Sequence, residues 1–299
     1  MAQTEFFRPG NLAAALDLLD QYREQAVIVN GGTDIVERIA HGGVRRAAII
    51  YIHEIPELRG IGEGDGFVRI GGAVTYNDIL ASPLCCQFTA LEQAVKEIGS
   101  PSIRVRGTPA GNLGTAVPAG DCCAAMMALD AEVVAASRQG ERAIKLADLI
   151  IDYRRTALAA NELIREIRIP VVPGGKTASA FLRLTSRKGQ DIAQASAAVR
   201  LTLDGDVCRH AVIAMGSVSK VTVRAYSLEK AVAGKTVADA AEEIKAMVPA
   251  EVALRAADNP AFAARPTANI ERQYKESVIG VIVARAMMTA YGKILAGEQ

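Results

Sequence analysis

Residues 99–120 read GSPSIRVRGTPAGNLGTAVPAG, and residues 29–34 read VNGGTD. The longer stretch is rich in Gly, Pro, Ser and Thr, composition that predicts a loop, and a loop of that length inside a folded chain is more often functional than idle. Within it, residues 107–114 carry three glycines, with Thr108 and Asn112 as side-chain donors, and the stretch runs on to Asp121. The shorter stretch follows an apolar run, Ala26 to Val29, and precedes a helical pattern through Ile35, Val36 and Ile39, so Gly31 and Gly32 sit in a strand-to-helix turn. Glycines there allow close backbone approach to a ligand, and exposed amides at a helix start favour an anion such as pyrophosphate. The plainer alternative for each is structural: a turn capped by Thr33 or Asp34, and a surface loop whose Asp121 caps the next helix. Neither loop carries the single G-x-G-x-x-G fingerprint of a Rossmann site. Two separate Gly-rich loops point instead to a dinucleotide held between two lobes.

Working outward, helix and strand patterns alternate. Residues 11–22 place Leu12, Ala15, Leu16 and Leu19 at helical spacing behind Asn11, a suitable N-cap. Residues 47–52 and 67–70 read as strands; the second runs into Gly71-Gly72, and Thr75 or Asn77 then begins a helix. Residues 91–98 and 124–129 read as helices, 131–136 and 162–170 as strands. Val171-Val172-Pro173-Gly174-Gly175 clusters breakers and predicts a domain boundary. Beyond it, residues 179–185, 192–204 and 208–215 read as successive strands, with Asp204-Gly205-Asp206 as a hairpin turn, and helices follow near 237–247 and 277–295. The sum is an α+β chain in two parts.

Composition narrows the function classes. The chain has 299 residues, half of them apolar, which suffices for one or two cored domains. Thirty-four Lys and Arg balance 33 Asp and Glu, so the basic excess of a nucleic-acid or anionic-membrane binder is missing. The start, Met1-Ala2-Gln3-Thr4-Glu5, is no secretory signal, and the apolar run 278–283 is too short to cross a bilayer. A soluble, cytoplasmic protein is expected. Cys85, Cys86, Cys122, Cys123 and Cys208 fall largely in adjacent pairs, whereas a zinc or iron–sulfur loop spaces its ligands two to four residues apart; buried reduced thiols and a metal-free chain are expected. Gly175-Lys176-Thr177 imitates the end of a P-loop, but Pro170 stands where that motif needs Gly and a strand pattern follows. His53-Glu54-Ile55-Pro56-Glu57 lacks the spacing of a zinc-protease helix. No residues assemble into a catalytic constellation, and Arg104, Arg106, Arg187 and Lys188 read as surface charges, one or two of which could face phosphates.

In order along the chain, residues 29–34, residues 70–75 (IGGAVT), residues 100–121 and residues 183–193 (RLTSRKGQDIA) resemble segments of the FAD subunits of molybdenum hydroxylases, among them the flavoprotein chains of bacterial xanthine, nicotinate and carbon monoxide dehydrogenases. The resemblance implies a two-lobed FAD-binding domain of the vanillyl-alcohol-oxidase (PCMH) type over residues 1–173, then a C-terminal α+β domain with a small antiparallel sheet over 174–299. It implies FAD as cofactor, held at Ile28, Val29, Asn30, Gly31, Gly32, Thr33, Asp34 and Ile35 and at Thr108, Ala110, Gly111, Asn112 and Thr115. Asp121 would meet sugar or ribityl hydroxyls, Ile164 the flavin ring, and Arg183 would lie near the cofactor. The chain departs from the family pattern at Asn30, at Pro109-Ala110, which removes one amide donor, and at Cys122-Cys123. The implied role is an electron relay: an oxidoreductase subunit, inactive alone, passing electrons from iron–sulfur clusters on a small partner chain through FAD to NAD+ or another acceptor. A molybdopterin-binding large subunit would act on an N-heterocycle such as xanthine or nicotinate. A stand-alone flavin oxidoreductase and a flavin-less scaffold subunit are the alternatives.

Overall fold

Breaker residues and hydrophobic periodicity build two compact units in the computed structural model, which describes residues 4–172, 176–187, 189–253 and 268–297. Residues 173–175 of the boundary expected at 171–175, Lys188 and the first three residues lie outside the described residues. One unit draws on Met1–Leu84, Ser100–Ala116 and Ala131–Pro170, the other on Cys85–Gly99, Val117–Asp130 and Val171–Gln299.

Among the described residues the first unit holds ten strands: β1 (Glu5–Phe7), β2 (Ala26–Val29), β3 (Ala48–Tyr51), β4 (Ile61–Gly64), β5 (Phe67–Gly71), β6 (Glu132–Ser137), β7 (Gly140–Lys145), β8 (Ile150–Asp152), β9 (Arg155–Thr156) and β10 (Leu163–Pro170). The first three form a parallel sheet in the order β1-β3-β2. Parallel neighbours need crossovers, and the helices Leu12–Tyr22 and Ile35–Ala40 supply them. Asn11 does cap the first, accepting from Ala14 N at 2.8 Å. Its Ala15 and Leu19 pack on Ile50 of β3, together with Ile55, Leu58 and Leu163, all buried. The second sheet is antiparallel, β4-β5-β10-β6-β7. A register shift between Ile164 and Glu166, where β10 pairs with β6, turns both Leu163 and Ile164 inward although they are adjacent.

In the second unit β11 (Lys176–Leu184), β12 (Ala195–Asp204), β13 (Val207–Gly216) and β14 (Val223–Arg224) form an antiparallel sheet. The expected hairpin turn is present, with Gly205 at φ +60°. Period-2 alternation divides β12. Ala195, Ala197, Val199, Leu201 and Leu203 join a core with Ile279, Val283 and Met287 of the long helix Ala268–Ala296. Buried Arg200, on the alternate set, donates to Leu129 O at 3.0 Å and pairs with Asp130. The strand Lys176–Leu184, where a P-loop would need a helix, agrees with rejecting that motif.

Two expectations need correction. Residues 99–120 are not one long loop: helices occupy Pro101–Arg104 and Pro109–Thr115, begun by the N-caps Ser100 and Thr108 with proline at the first helical position. Ser-Pro and Thr-Pro, read as loop composition, are here the cap-plus-N1 signature. The last helix also begins before residue 277, because its polar first turns carry no apolar stripe to announce them.

Candidate functional site

The two Gly-rich segments, more than seventy residues apart, meet by backbone contact in the first unit. A Cβ on Gly31 would overlap the carbonyl oxygen of Arg106 and stand 2.8 Å from its carbonyl carbon and 3.0 Å from Gly107 Cα. Only glycine lets these chains lie so close. Gly32 has φ +78°, so it needs glycine for conformational reasons as well. Downstream, the helix Ile35–Ala40 has no side-chain cap. Asp34 does not turn back to cap it; its carboxylate lies 3.1 and 3.3 Å from the two terminal nitrogens of Arg154 and 3.7 Å from Arg38.

A buried polar chain fixes the approach to this turn. Asn30 Nδ2 donates to Gly72 O at 2.7 Å, which settles the orientation of the amide. Its Oδ1 therefore faces His53 Nδ1 at 3.1 Å, and His53 donates as the Nδ1–H tautomer. Burial first, then the positive fields of Arg106 and Arg59, holds the His53 pKa below its ordinary value and keeps the ring neutral. The side chain of Asn30 is thus engaged within the protein, and the ends of β2, β3 and β5 are locked together. Gly72 packs so closely that a Cβ there would overlap Ile164 O. Val29 and Ile164 are buried, and Ile28 packs against the same core as Ile50.

In the second segment Thr108, 3% exposed, accepts from Gly111 N at 3.0 Å, while Thr115 Oγ1 donates to Gly111 O at 2.9 Å. Those two hydroxyls shape the helix Pro109–Thr115. Asn112 differs: its Oδ1 is buried with no hydrogen-bond partner, an acceptor that a ligand hydroxyl or amide would satisfy. Ala110 is buried, and a Cβ on Gly111 would stand 2.8 Å from Thr108 Oγ1. The polar groups of this unit, glycine backbone plus one orphaned acceptor, Asn112 Oδ1, fit a dinucleotide such as FAD.

In the second unit, Asp121 opens the helix Asp121–Ala128. Arg183 Nη1 donates to its Oδ2 at 2.9 Å, and Arg183 Nη2 lies 3.0 Å from Glu97. Asp121 is 5% exposed and its Oδ1 has no partner. Burial pushes its pKa up to about 6, against the pull of Arg183. Cys122 and Cys123 follow, both buried, and burial raises both thiols, Cys123 to about 12. Neither is a reactive thiolate.

Sequence reading missed three residues of the first unit. His53 enters the sequence reading only in a motif that fails on spacing, Arg106 is one of four charges assigned to the surface of which one or two could face phosphates, and Arg154 is not singled out. Arg106 Nη2 donates to Tyr51 OH at 3.0 Å, and with His53, Arg59, Ile61, Val74 and Asp78 it lines a cleft of about 640 Å³. Of the three only Arg106 carries a local signal, its place beside Gly107.

Residues 2–172 match the family model described as the FAD binding domain in molybdopterin dehydrogenase, and residues 180–290 that of the CO dehydrogenase flavoprotein C-terminal domain. The chain is 34% identical over 240 residues to the nicotinate dehydrogenase FAD-subunit of Eubacterium barkeri, covering 78% of this chain and 81% of the relative. It is 30% identical over 290 residues to the carbon monoxide dehydrogenase medium chain of Hydrogenophaga pseudoflava, covering 97% of each. A solved structure of carbon monoxide dehydrogenase from Hydrogenophaga pseudoflava superimposes with a TM-score of 0.84 at 30% identity, over 97% of this chain and 98% of that one.

Proposed function

The chain belongs to the family of FAD-binding subunits of the molybdopterin-dependent dehydrogenases, and from that premise we propose that it relays electrons from iron–sulfur clusters on a small partner chain, through FAD, to NAD+. It is an oxidoreductase subunit with FAD as its cofactor. The observation that most supports the relay reading is the backbone contact between Gly31 and Arg106–Gly107, which brings both Gly-rich segments to one place.

FAD, when bound, supplies chemistry in one-electron and two-electron steps, which suits an exchange between clusters and a dinucleotide. The protein's own residues hold and orient. The turn at Gly31, Gly32, Thr33 and Asp34 offers backbone amides, and the segment Thr108, Ala110, Gly111 and Asn112 offers one free acceptor, Asn112 Oδ1, the Gly111 and Asn112 amides being taken by Thr108. Val29, Ile28, Ile35 and Ile164 offer apolar surface, with Ile164 buried at the β10 bulge. Thr108 and Thr115 set the helix that carries Asn112. In the second unit, Asp121 and Arg183 remain proposed cofactor residues on the family resemblance: a carboxylate with one open oxygen, and a guanidinium that balances its charge.

A molybdopterin-binding large subunit and an iron–sulfur small subunit are the proposed partners, and a cytoplasmic setting the proposed location. An N-heterocycle is the proposed substrate of the complex, supported by the nicotinate dehydrogenase relative. The test is an anaerobic titration of the FAD-loaded protein with NADH, reading flavin absorbance. Bleaching by NADH supports the dinucleotide acceptor; bleaching by dithionite with none by NADH overturns it. Capture of the two partner chains from the native source tests the assembly, and a protein that purifies alone while turning over a substrate would replace the relay with a stand-alone enzyme.

A further inference from the structure

We infer that Arg154 is a positioning residue for the cofactor: it masks the carboxylate of Asp34, two residues beyond the Gly31–Gly32 turn, so that an anionic group can lie against that turn. The inference rests on the reading that this turn meets the pyrophosphate of FAD.

Arg154 sits in the turn between β8 and β9, far from residue 34 in sequence, with φ +56°. Its guanidinium meets Asp34 as a fork, Nη1 to Oδ2 at 3.1 Å and Nη2 to Oδ1 at 3.3 Å. That two-pronged geometry fixes the carboxylate in direction as well as neutralising it. The guanidinium also lies over the Tyr153 ring, 5.6 Å from its centre. Its backbone N–H donates to Ala116 O at 2.8 Å, directly after the helix that carries Asn112. One residue therefore touches both Gly-rich segments, the first by charge and the second by backbone.

Asp34 needs such a partner. Arg38 stands 3.7 Å away, a looser contact on the same short helix. Left unmasked, a carboxylate two residues from the turn is within about 7 Å of it along the chain. At dielectric values between protein surface and water, its repulsion weakens an anion held at the turn by about tenfold. A bare acid at an anion cradle works against binding, and the fork from β8–β9 resolves that conflict.

The test measures the Kd of FAD for the apo-protein by flavin fluorescence, at low and high salt. Arg154→Ala is expected to raise Kd by about tenfold at low salt and by less at high salt. Asp34→Asn removes the carboxylate and keeps the backbone amide assigned to the cofactor, and combined with Arg154→Ala it should recover most of the loss, because the harm comes from the exposed carboxylate. A double variant as weak as Arg154→Ala would make Arg154 a mechanical strut and overturn the inference, as would an Arg154→Ala protein binding FAD normally. Should Arg154→Ala not fold, Arg154→Lys keeps the positive charge but loses the fork, so only part of the loss, about threefold in Kd, is expected; a tenfold loss there overturns the charge argument. If the unaltered chain shows no FAD binding, the cofactor reading fails separately.

Discussion

Replacing Gly31 by alanine adds one methyl group where the structure has no room for it. The new Cβ would overlap Arg106 O, with Arg106 C at 2.8 Å and Gly107 Cα at 3.0 Å. All three neighbours are backbone atoms, so no side chain can swing aside; the two segments must separate or the residue must not fit. Gly31 has no positive φ, which makes the effect purely steric. Overpacking of this kind costs about 1–3 kcal/mol, and at roughly 2–4 °C per kcal/mol for a unit of this size the melting temperature should fall by several degrees. Because the displaced atoms belong to the segment 106–112, FAD content should fall with it. Gly114→Ala is the control: nothing lies within 4 Å of its Cβ and it is helical, so the change should be neutral or stabilise by up to about 1 kcal/mol. Thermal unfolding and the flavin-to-protein absorbance ratio of both variants decide the matter. A Gly31→Ala protein with the original melting temperature and full flavin would refute the claim that the segments meet there.

Three further outcomes are expected. The depressed His53 pKa means the native state resists a proton that the unfolded chain accepts; stability is present above the ordinary histidine value and falls as pH drops below it, so urea midpoints taken from pH 7 to 5 should decline less steeply in His53→Gln than in the original chain. Asp121, raised from 3.8 to about 6, has the opposite sign: the native state holds its proton more tightly, and the contribution is present below about 4 and lost as pH rises through 6. At 1.36 kcal/mol per unit the whole effect is about 3 kcal/mol, so denaturation of the apo-protein across that window should be flatter in Asp121→Asn, and an unchanged slope would remove Asp121 as the cause. Gly280→Ala should lower the melting temperature despite alanine's better helix propensity, because the added Cβ would lie 2.8 Å from Lys245 O and 2.9 Å from Met247 O; a rise would show that the long helix does not pack on that backbone.

The sequence made some of this legible and hid the rest for identifiable reasons. Val29, Ile50 and Ile167 lie in strands whose apolar spacing needs no partner to be read, and the Asn11 cap is local chemistry. The capping box at Thr75 and Asp78 is equally local: Thr75 receives the Asp78 amide while the Asp78 carboxylate receives Thr75 N. The strand β7 was not anticipated, because five of its six residues are exposed or polar and its register is dictated by the neighbouring β6. The same distinction runs through the site. Glycine announces itself in any sequence, so Gly31, Gly32 and Gly111 stand out, but glycine alone does not say what it approaches; for Gly31 the answer is the main chain of Arg106. His53, Arg106 and Arg154 act through pairings of 23, 55 and 120 residues' separation, and no local pattern encodes a partner so distant. What a single sequence reveals is where backbone must come close; which charges are silenced to let an anion approach is decided by tertiary pairing, and at Asp34 that pairing is the fork from Arg154.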